Sequence, residues 1–220
     1  MEWWGPLGIS LKVAFFSSVI VFVVGTTLAY FLALRDFPGK NALEIAVMLP
    51  LVLPPTVTGY YLVMVFGRNG FIGRFLFDYL GVTLIFSWYG AVVASAVVAL
   101  PLMVQAAKAA IESVDRHFIQ VSYTLGHSEW ETAMRVVLPL AKNGILAGFI
   151  LSFSRALGEF GATLMLAGNI PGKTNTMPLE IYTLATAGEW DKARMFVLIL
   201  TLASAGAVLI SRYFASRRPR

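Results

Sequence analysis

The sequence predicts an all-α polytopic membrane protein with about five transmembrane helices and a helix–turn–helix loop on the cytoplasmic side. Two observations carry this prediction. Hydrophobic residues make up 58% of the 220 residues and charged residues only 13%, about half of the roughly 25% found in soluble domains. Five apolar runs are also present, each of about 20 residues or more and therefore able to cross a hydrocarbon core of roughly 30 Å.

The predicted spans are distributed along the whole chain, and we interpret residues 1–220 as one transmembrane domain. The spans are residues 9–34, 45–66, 84–107, 144–168 and 195–214. The first run has no basic start and no clear cleavage site, and it is longer than a signal-peptide core. We therefore interpret it as a true span.

Basic residues in the connecting segments predict the orientation, because lysine and arginine are enriched in cytoplasmic loops. One side of the spans holds Arg35, Lys40, Lys108, Arg116, Arg135, Lys142, Arg212, Arg217, Arg218 and Arg220. The other side holds Arg68, Arg74, Lys173, Lys192 and Arg194. We expect the N-terminus outside and the C-terminus in the cytoplasm. This distribution explains the net charge of +5 without a nucleic-acid partner.

The second span contains helix-breaking prolines. Pro50, Pro54 and Pro55 lie within it, and each removes a backbone donor and clashes with the preceding turn. Two interpretations are open: a packing kink, or a broken helix that lines a translocation pathway. The pathway candidates here are Pro54, Pro55, Thr56 and Thr58.

The segment 108–143 is long and patterned, and its first half predicts a short helix. Ser113 or Asp115 can cap this helix and Gly126 can end it. Apolar residues share one of its faces, namely Phe118, Val121 and Leu125.

A second short helix is predicted after the glycine. Ser128 and Glu131 have the spacing of a capping box, and Pro139 is expected to end the unit. A second apolar face would consist of Trp130, Ala133 or Met134, and Val137. Both helices are too short to be stable alone, so the pair either lies on the bilayer or presents an apolar knob to a cytoplasmic partner.

The fourth span contains two charges near its middle, Arg155 and Glu159. A charge at the bilayer centre costs roughly 2.5–3.5 kcal/mol, but residues four apart share a helical face and can pair. The pair is either structural or functional; in the second case Arg155 supplies positive potential to an anion pathway and Glu159 limits anion trapping. Gly158 and Gly161 would permit close helix approach.

The absence of several sequence motifs excludes some classes of site. No cysteine is present, which excludes disulfides and thiolate metal sites. His117 and His127 have no further metal-ligand motif nearby and are interpreted as surface residues, so we expect no metal and no cofactor. No phosphate-binding G-x-x-x-x-G-K-[ST] motif occurs, so the chain is not expected to hydrolyse ATP.

The cytoplasmic loop resembles that of permease subunits of bacterial ABC importers. Their signature reads E-A-A, three residues, G, nine residues, I-x-L-P. Here Gly126 is followed by nine residues and then by Val136, Val137, Leu138 and Pro139, while Gln120, Val121 and Ser122 replace E-A-A. In that family the loop docks in a cleft of the ATPase subunit. The resemblance implies a coupling role for Phe118, Gln120, Val121, Leu125, Gly126, Glu129, Trp130, Val136, Leu138 and Pro139.

Further segments resemble the molybdate permeases of the molybdate, tungstate and sulfate group. They are DFPGK (36–40), LPLVLPPTVTGY (49–60), GRNGFIG (67–73), RALGEFGAT (155–163) and AGNIPGKTNTMPLEIYT (167–183). The resemblance implies a homodimeric permease in the bacterial inner membrane, surrounded by lipid, with two ATPase subunits and a periplasmic or extracellular oxyanion-binding protein as partners. The outer loop around Lys173 is either the landing place of that protein or an ordinary connection.

Other functions remain open at this point. Tungstate or sulfate could replace molybdate as the cargo, since no residue separates these dianions by a physical argument. A stand-alone ion-coupled anion transporter is an alternative of a different class, although such proteins usually show inverted repeats over more spans. An intramembrane enzyme is a further alternative without a visible catalytic motif.

Overall fold

The computed structural model describes residues 4–216, and regular structure within this range is helical throughout. Arg217, Arg218 and Arg220 of the predicted cytoplasmic tail lie outside the described residues. The helices are α1 Trp4–Leu34, α2 Lys40–Val52, α3 Pro55–Phe66, α4 Phe71–Leu80, α5 Trp88–Glu112, α6 Arg116–Thr124, α7 Glu129–Thr132, α8 Leu138–Leu157, α9 Gly161–Ala167, α10 Met177–Thr186 and α11 Trp190–Ser216. A π-helical segment, Ala133–Val137, joins α7 to α8.

Four helical stretches in the described range are long and apolar enough to cross a membrane, and a fifth span results if α2 and α3 count together. These two helices meet at an angle of 119°, so the second predicted span is interrupted, as the broken-helix interpretation of its prolines expected. Of the three prolines only Pro50 lies inside a helix, whereas Pro54 precedes α3 and Pro55 begins it. A proline is tolerated in the first turn because its missing N–H would be unpaired there.

Helix α5 is the centre of the bundle, with two thirds of its most apolar window buried. α1 runs parallel to it: the hydroxyl of Ser17 donates to the carbonyl of Val92 over 3.0 Å, and further along Gly25 lies against Met103. α8 runs antiparallel to it. Its small residues Gly144 and Gly148 face alanines of α5 so closely that a Cβ at either glycine would clash. Small residues let helix backbones approach in membranes.

Helix α11 lies on the outside of the bundle, because only 11% of its most apolar window is buried. Large apolar side chains point away from the protein along it, namely Val197, Leu198, Leu202, Leu209 and Ile210. Its C-terminal half shares a cavity with the start of α8, so α11 is antiparallel to α8. The N-terminal ends of α1, α5 and α11 therefore lie on one side and the α6–α7 unit on the other.

The fourth predicted span also required correction. α8 ends at Leu157 and α9 begins at Gly161, so the span 144–168 is interrupted at residues 158–160. At its other end, Pro139 does not end a unit, because the helix runs without a gap from Glu129 to Leu157. The N–H of Leu138 reaches the carbonyl of Ala133, five residues back, and Pro139 follows in the first turn of α8. At the start of the predicted loop, Lys108 belongs to α5.

Candidate coupling surface and translocation site

Helix α6 has the ends that its sequence predicts. The side chain of Asp115 accepts the N–H of His117 over 2.8 Å, so Asp115 is the cap that forms. Gly126 lies just after the end of α6 and has a φ of +84°. This left-handed backbone conformation costs little free energy only for glycine. His117 is exposed, as expected, but His127 is half-buried and hydrogen-bonds the Ser122 hydroxyl through Nδ1.

A buried polar contact joins α6 to α7, and a capping box fixes the first turn of α7. The hydroxyls of Ser122 and Thr132 lie 2.8 Å apart, and both residues are buried. The capping box is complete, since Ser128 accepts the N–H of Glu131 and Glu131 accepts the N–H of Ser128. A buried polar pair such as Ser122 and Thr132 stabilises the contact between two helices because each hydroxyl has a partner.

The unit presents apolar side chains to the solvent. The exposed members are Phe118, Val121, Leu125 and Trp130, with Gln120 beside them. The prediction that Trp130, Ala133 or Met134, and Val137 share one apolar face was wrong. Trp130 and Met134 are exposed, whereas Ala133 and Val137 are buried in the bundle. Val136 and Leu138 are half-buried, and Pro139 is exposed.

An ion pair that sequence reasoning missed ties this unit to α1. Arg35, directly after α1, donates through Nε to one carboxylate oxygen of Glu129 over 3.1 Å and through Nη2 to the other. These hydrogen bonds raise the pKa of Arg35 above its already high ordinary range. A bidentate geometry adds direction as well as charge. The pair borders an apolar cavity of about 480 Å³, whose walls include Tyr30, Trp130 and Met134.

The two helix breaks pack against each other, and Pro54 and Pro55 at the first break are exposed. Gly161, the first residue of α9, lies against Pro55, the first residue of α3, and a Cβ added at Gly161 would stand 2.6 Å from the Cβ of Pro55. Gly59 on α3 similarly faces Met165 and Ala162 of α9. Gly158 has no such role, because a Cβ there would meet only the carbonyl of Ser154 at 3.7 Å. The expected close approach at Gly158 was therefore wrong.

The predicted Arg155–Glu159 pair is present, but it does not form along a continuous helix. Arg155 Nη1 lies 2.7 Å from one oxygen of Glu159, whose side chain is 1% exposed. The other oxygen accepts the N–H of Ala162 over 2.9 Å. Glu159 thus pairs with the last turn of α8 and caps the first turn of α9, where a negative charge is favourable.

Threonines of the site differ in burial. Thr56 is exposed, and Thr58 is 4% exposed. The hydroxyls of Thr58 and of Thr163 on α9 have no hydrogen-bond partner among the described residues. No pattern in the sequence identifies Thr163 as a site residue, because it joins the site only when α9 packs against α3.

The loop between α9 and α10 is held on the side opposite the α6–α7 unit. The Thr174 hydroxyl accepts the N–H of Ile170 and donates to the carbonyl of Gly168. The N–H of Met177 donates to the hydroxyl of Ser10 on α1 over 2.7 Å. This framework leaves Pro171, Gly172 and Lys173 exposed at its tip, before α10 begins at Met177.

Comparison with known proteins places these features in a family. The family of the binding-protein-dependent transport system inner membrane component matches residues 25–218. The chain is 44% identical over 214 residues to the molybdenum transport system permease protein ModB of Escherichia coli (strain K12), covering 96% of this chain and 93% of that protein. It is 42% identical over 203 residues to the putative molybdenum transport system permease protein YvgM of Bacillus subtilis (strain 168), covering 92% and 89%.

Solved structures show the same fold. A bacterial ABC transporter involved in the import of the acidic polysaccharide alginate gives a TM-score of 0.76 at 16% identity, covering 100% of this chain and 81% of that chain. An inward-facing MetNI methionine ABC transporter gives 0.67 at 17% identity, covering 95% and 94%. The chain belongs to the family of binding-protein-dependent transport system inner membrane components.

Proposed function

We propose that this chain is the membrane-spanning permease subunit of an ABC importer that moves molybdate across the cytoplasmic membrane. The observation that carries the proposal is the 44% identity to a molybdenum permease over 96% of the chain. A likeness that spans every helix includes both the cytoplasmic unit and the meeting helix breaks. ATP is hydrolysed by a separate subunit in this proposal, and the chain itself is not an enzyme.

The α6–α7 unit is the proposed docking element for the ATPase, with one copy for each of two ATPase subunits. Phe118, Val121, Leu125 and Trp130 supply exposed apolar contacts, and Gln120 stands at the position of the acidic residue in the importer signature. The shape of the unit depends on Gly126, on the Glu129 pair and on the helical connection through Val136, Leu138 and Pro139 to α8. A displacement of the unit is therefore transmitted to both α1 and α8.

The proposed translocation site lies where the breaks at Pro54–Pro55 and residues 158–160 meet. Broken helices at membrane depth are tolerated where they line protein or a watery cavity. The unpartnered hydroxyls of Thr58 and Thr163 support this assignment, as does Arg155, whose side chain keeps 29% exposure. Because Glu159 already pairs with Arg155, the arginine offers an oxyanion weak binding, which a transport pathway needs for release.

The assembly proposed is a homodimer with the pathway on its two-fold axis, embedded in lipid. The N-terminal ends of α1, α5 and α11 face outside and the α6–α7 unit faces the cytoplasm. The loop with Lys173 then faces an oxyanion-binding protein outside. Two solved relatives in fold are an alginate importer and the same transporter with a periplasmic protein bound, which supports binding-protein and ATPase partners in general.

Uptake of labelled molybdate tests the function. Cells that lack this chain are compared with cells in which it is restored, in the presence of excess tungstate or sulfate. We expect uptake that requires the chain and that tungstate, but not sulfate, suppresses. Suppression by sulfate would move the chain to the sulfate permeases. Uptake that is insensitive to ATP depletion but follows an ion gradient would instead support a stand-alone ion-coupled transporter.

A further inference from the structure

Helix α4, Phe71–Leu80, carries an exposed aromatic stripe that no function above uses. Phe71, Phe75 and Tyr79 are 92%, 57% and 76% exposed. Residues four apart differ by only about 40° around a helix, so the three rings form one continuous face. The rings of Phe75 and Tyr79 are in contact, with their centroids 4.8 Å apart.

The other two faces of α4 have different surroundings. Ile72, Gly73 and Leu76 face the protein and are buried or half-buried. Arg74 and Asp78 form an exposed ion pair, with Arg74 Nε 3.4 Å from a carboxylate oxygen of Asp78. The helix therefore has a protein side, an aromatic side and a charged side.

The packing of α4 sets its level along the bundle. Gly73 lies so close to the carbonyls of Phe66 and Gly67, at the end of α3, that any Cβ would clash with them. The start of α4 also shares a cavity with residues 83–86, which directly precede α5. α4 is thus held where one membrane span ends and the next begins.

Other aromatic residues mark this same side of the bundle. Trp4 begins α1, Trp88 and Tyr89 begin α5, and Trp190 begins α11. Lys12 on α1 lies 3.7 Å above the ring of Trp88, so the start of α5 is level with the third turn of α1. Tryptophan and tyrosine at span ends are typical of a membrane–water interface.

We infer that α4 is an interfacial helix whose Phe71–Phe75–Tyr79 stripe is inserted among lipids of the outer leaflet, with Arg74 and Asp78 at the headgroups. The level of α4 at the ends of the spans, on the side where Trp4, Trp88 and Trp190 begin α1, α5 and α11, supports lipid as the occupant. An amphipathic helix at this level buries its aromatic face in the membrane interface without a further protein. The assignment to the outer leaflet rests on the orientation proposed above. Insertion at a membrane interface does not depend on that orientation.

Site-directed spin labelling tests this inference, and the absence of native cysteine makes the chain suitable. The complete transporter is reconstituted in phosphatidylethanolamine–phosphatidylglycerol nanodiscs. Single labels are attached in F75C and Y79C, with R74C and D78C as controls on the adjacent charged face. Collision rates are measured with oxygen, which concentrates in lipid, and with a neutral nickel chelate, which concentrates in water.

We expect labels at 75 and 79 to collide more with oxygen than with nickel, and the ratio to shift toward nickel at 74 and 78. If all four labels collided mainly with nickel, the stripe would lie in water and the inference would fail. Low collision with both reagents, with dipolar broadening between labels of two subunits, would instead assign the stripe to a contact between copies. A stripe that is water-exposed until a binding protein is added would be a docking surface for that protein. Transport activity enters none of these readings, so the inference and the proposed function can fail separately.

Discussion

Glu159 shows how a single residue makes a broken span tolerable in a membrane. One carboxylate oxygen pairs with Arg155 at the end of α8, and the other accepts a backbone N–H at the start of α9. Both the charge and an otherwise unpaired amide are thereby satisfied by a carboxylate that is itself almost fully buried. The sequence predicted the pair from its spacing, but it could not show that the helix stops between its members.

Replacing Arg155 alone should damage the protein more than replacing both partners. Arg155→Ala strands a buried carboxylate, a change that costs about 3 kcal/mol in comparable buried pairs. In the double variant Arg155→Ala/Glu159→Gln the charge is gone and the amide oxygen can still cap α9. We expect folded yield from membranes, measured by size-exclusion fluorescence, to be higher for the double variant. Additive losses would contradict this account of the pair.

Gly126 is a second residue whose replacement has a definite expectation. A Cβ there meets no atom within 4 Å, so crowding is not the constraint, but φ is +84°. Gly126→Val should cost about 1–2 kcal/mol locally, distort the turn, and abolish molybdate uptake without loss of membrane insertion. Gly126→Asn is the matched control, because asparagine tolerates this backbone region and should retain most uptake. Full uptake by the valine variant would remove the turn from the coupling mechanism.

At the scale of elements, the two interruptions were not equally predictable. Adjacent prolines indicated an irregular second span, since each removes a donor and clashes with the preceding turn. Residues 158–160 contain no proline, and their glycine was interpreted as a packing residue of a continuous helix. At that interruption Gly161 packs against Pro55, about a hundred residues away along the chain, and local pattern holds no information on such contacts.

The meeting of α3 and α9 should be sensitive to one added methyl group. Gly161→Ala would place a Cβ 2.6 Å from that of Pro55, and overpacking of this kind typically costs about 1–3 kcal/mol. Gly158→Ala, three residues earlier, meets no close atom and is the control. We expect a lower melting temperature in detergent and lower uptake for Gly161→Ala only. Equal behaviour of the two variants would show that the contact is dispensable.

The Arg35–Glu129 pair should matter for coupling through the attraction between opposite charges, whichever of the two positions carries the positive charge. The residues are 94 positions apart and join α1 to the ATPase-docking unit. Arg35→Glu should lower uptake per ATP hydrolysed, because two carboxylates then repel, and Arg35→Glu/Glu129→Arg should restore it. Reversal of the exposed pair Arg74–Asp78 serves as the control. If the double reversal failed while both proteins were folded, a simple tether would be the wrong description.

For the whole molecule, composition and span length predicted the membrane class and about five spans, and the described residues contain four or five candidate spans. The route of the chain was less accessible, because the 119° bend between α2 and α3 and the burial of α5 result from packing among distant segments. The helix α4 was also overlooked, although aromatic residues recur every four positions along it. The aromatic pattern of α4 indicates a membrane interface only when the position of α4 along the bundle axis is known.

The orientation of the whole molecule can be tested in a background free of cysteine. Gly5→Cys lies at the start of α1 with open space around it, and Ser216→Cys lies at the end of α11. We expect a membrane-impermeant maleimide to label position 5 in intact spheroplasts and position 216 only after permeabilisation. The reverse pattern would invert the topology and place the α6–α7 unit away from any cytoplasmic ATPase.

The π-helical segment Ala133–Val137 has a consequence for how the length of this region can vary. A π turn contains one residue more than the α-helical turn it replaces, so it stores an insertion without breaking the helix. Loss of one residue here would restore a regular helix, but it would also rotate everything on the N-terminal side by about 100° about the helix axis. The exposed face of the α6–α7 unit would then turn away from its partner. The extra residue thus sets the angular register between the cytoplasmic unit and the transmembrane bundle.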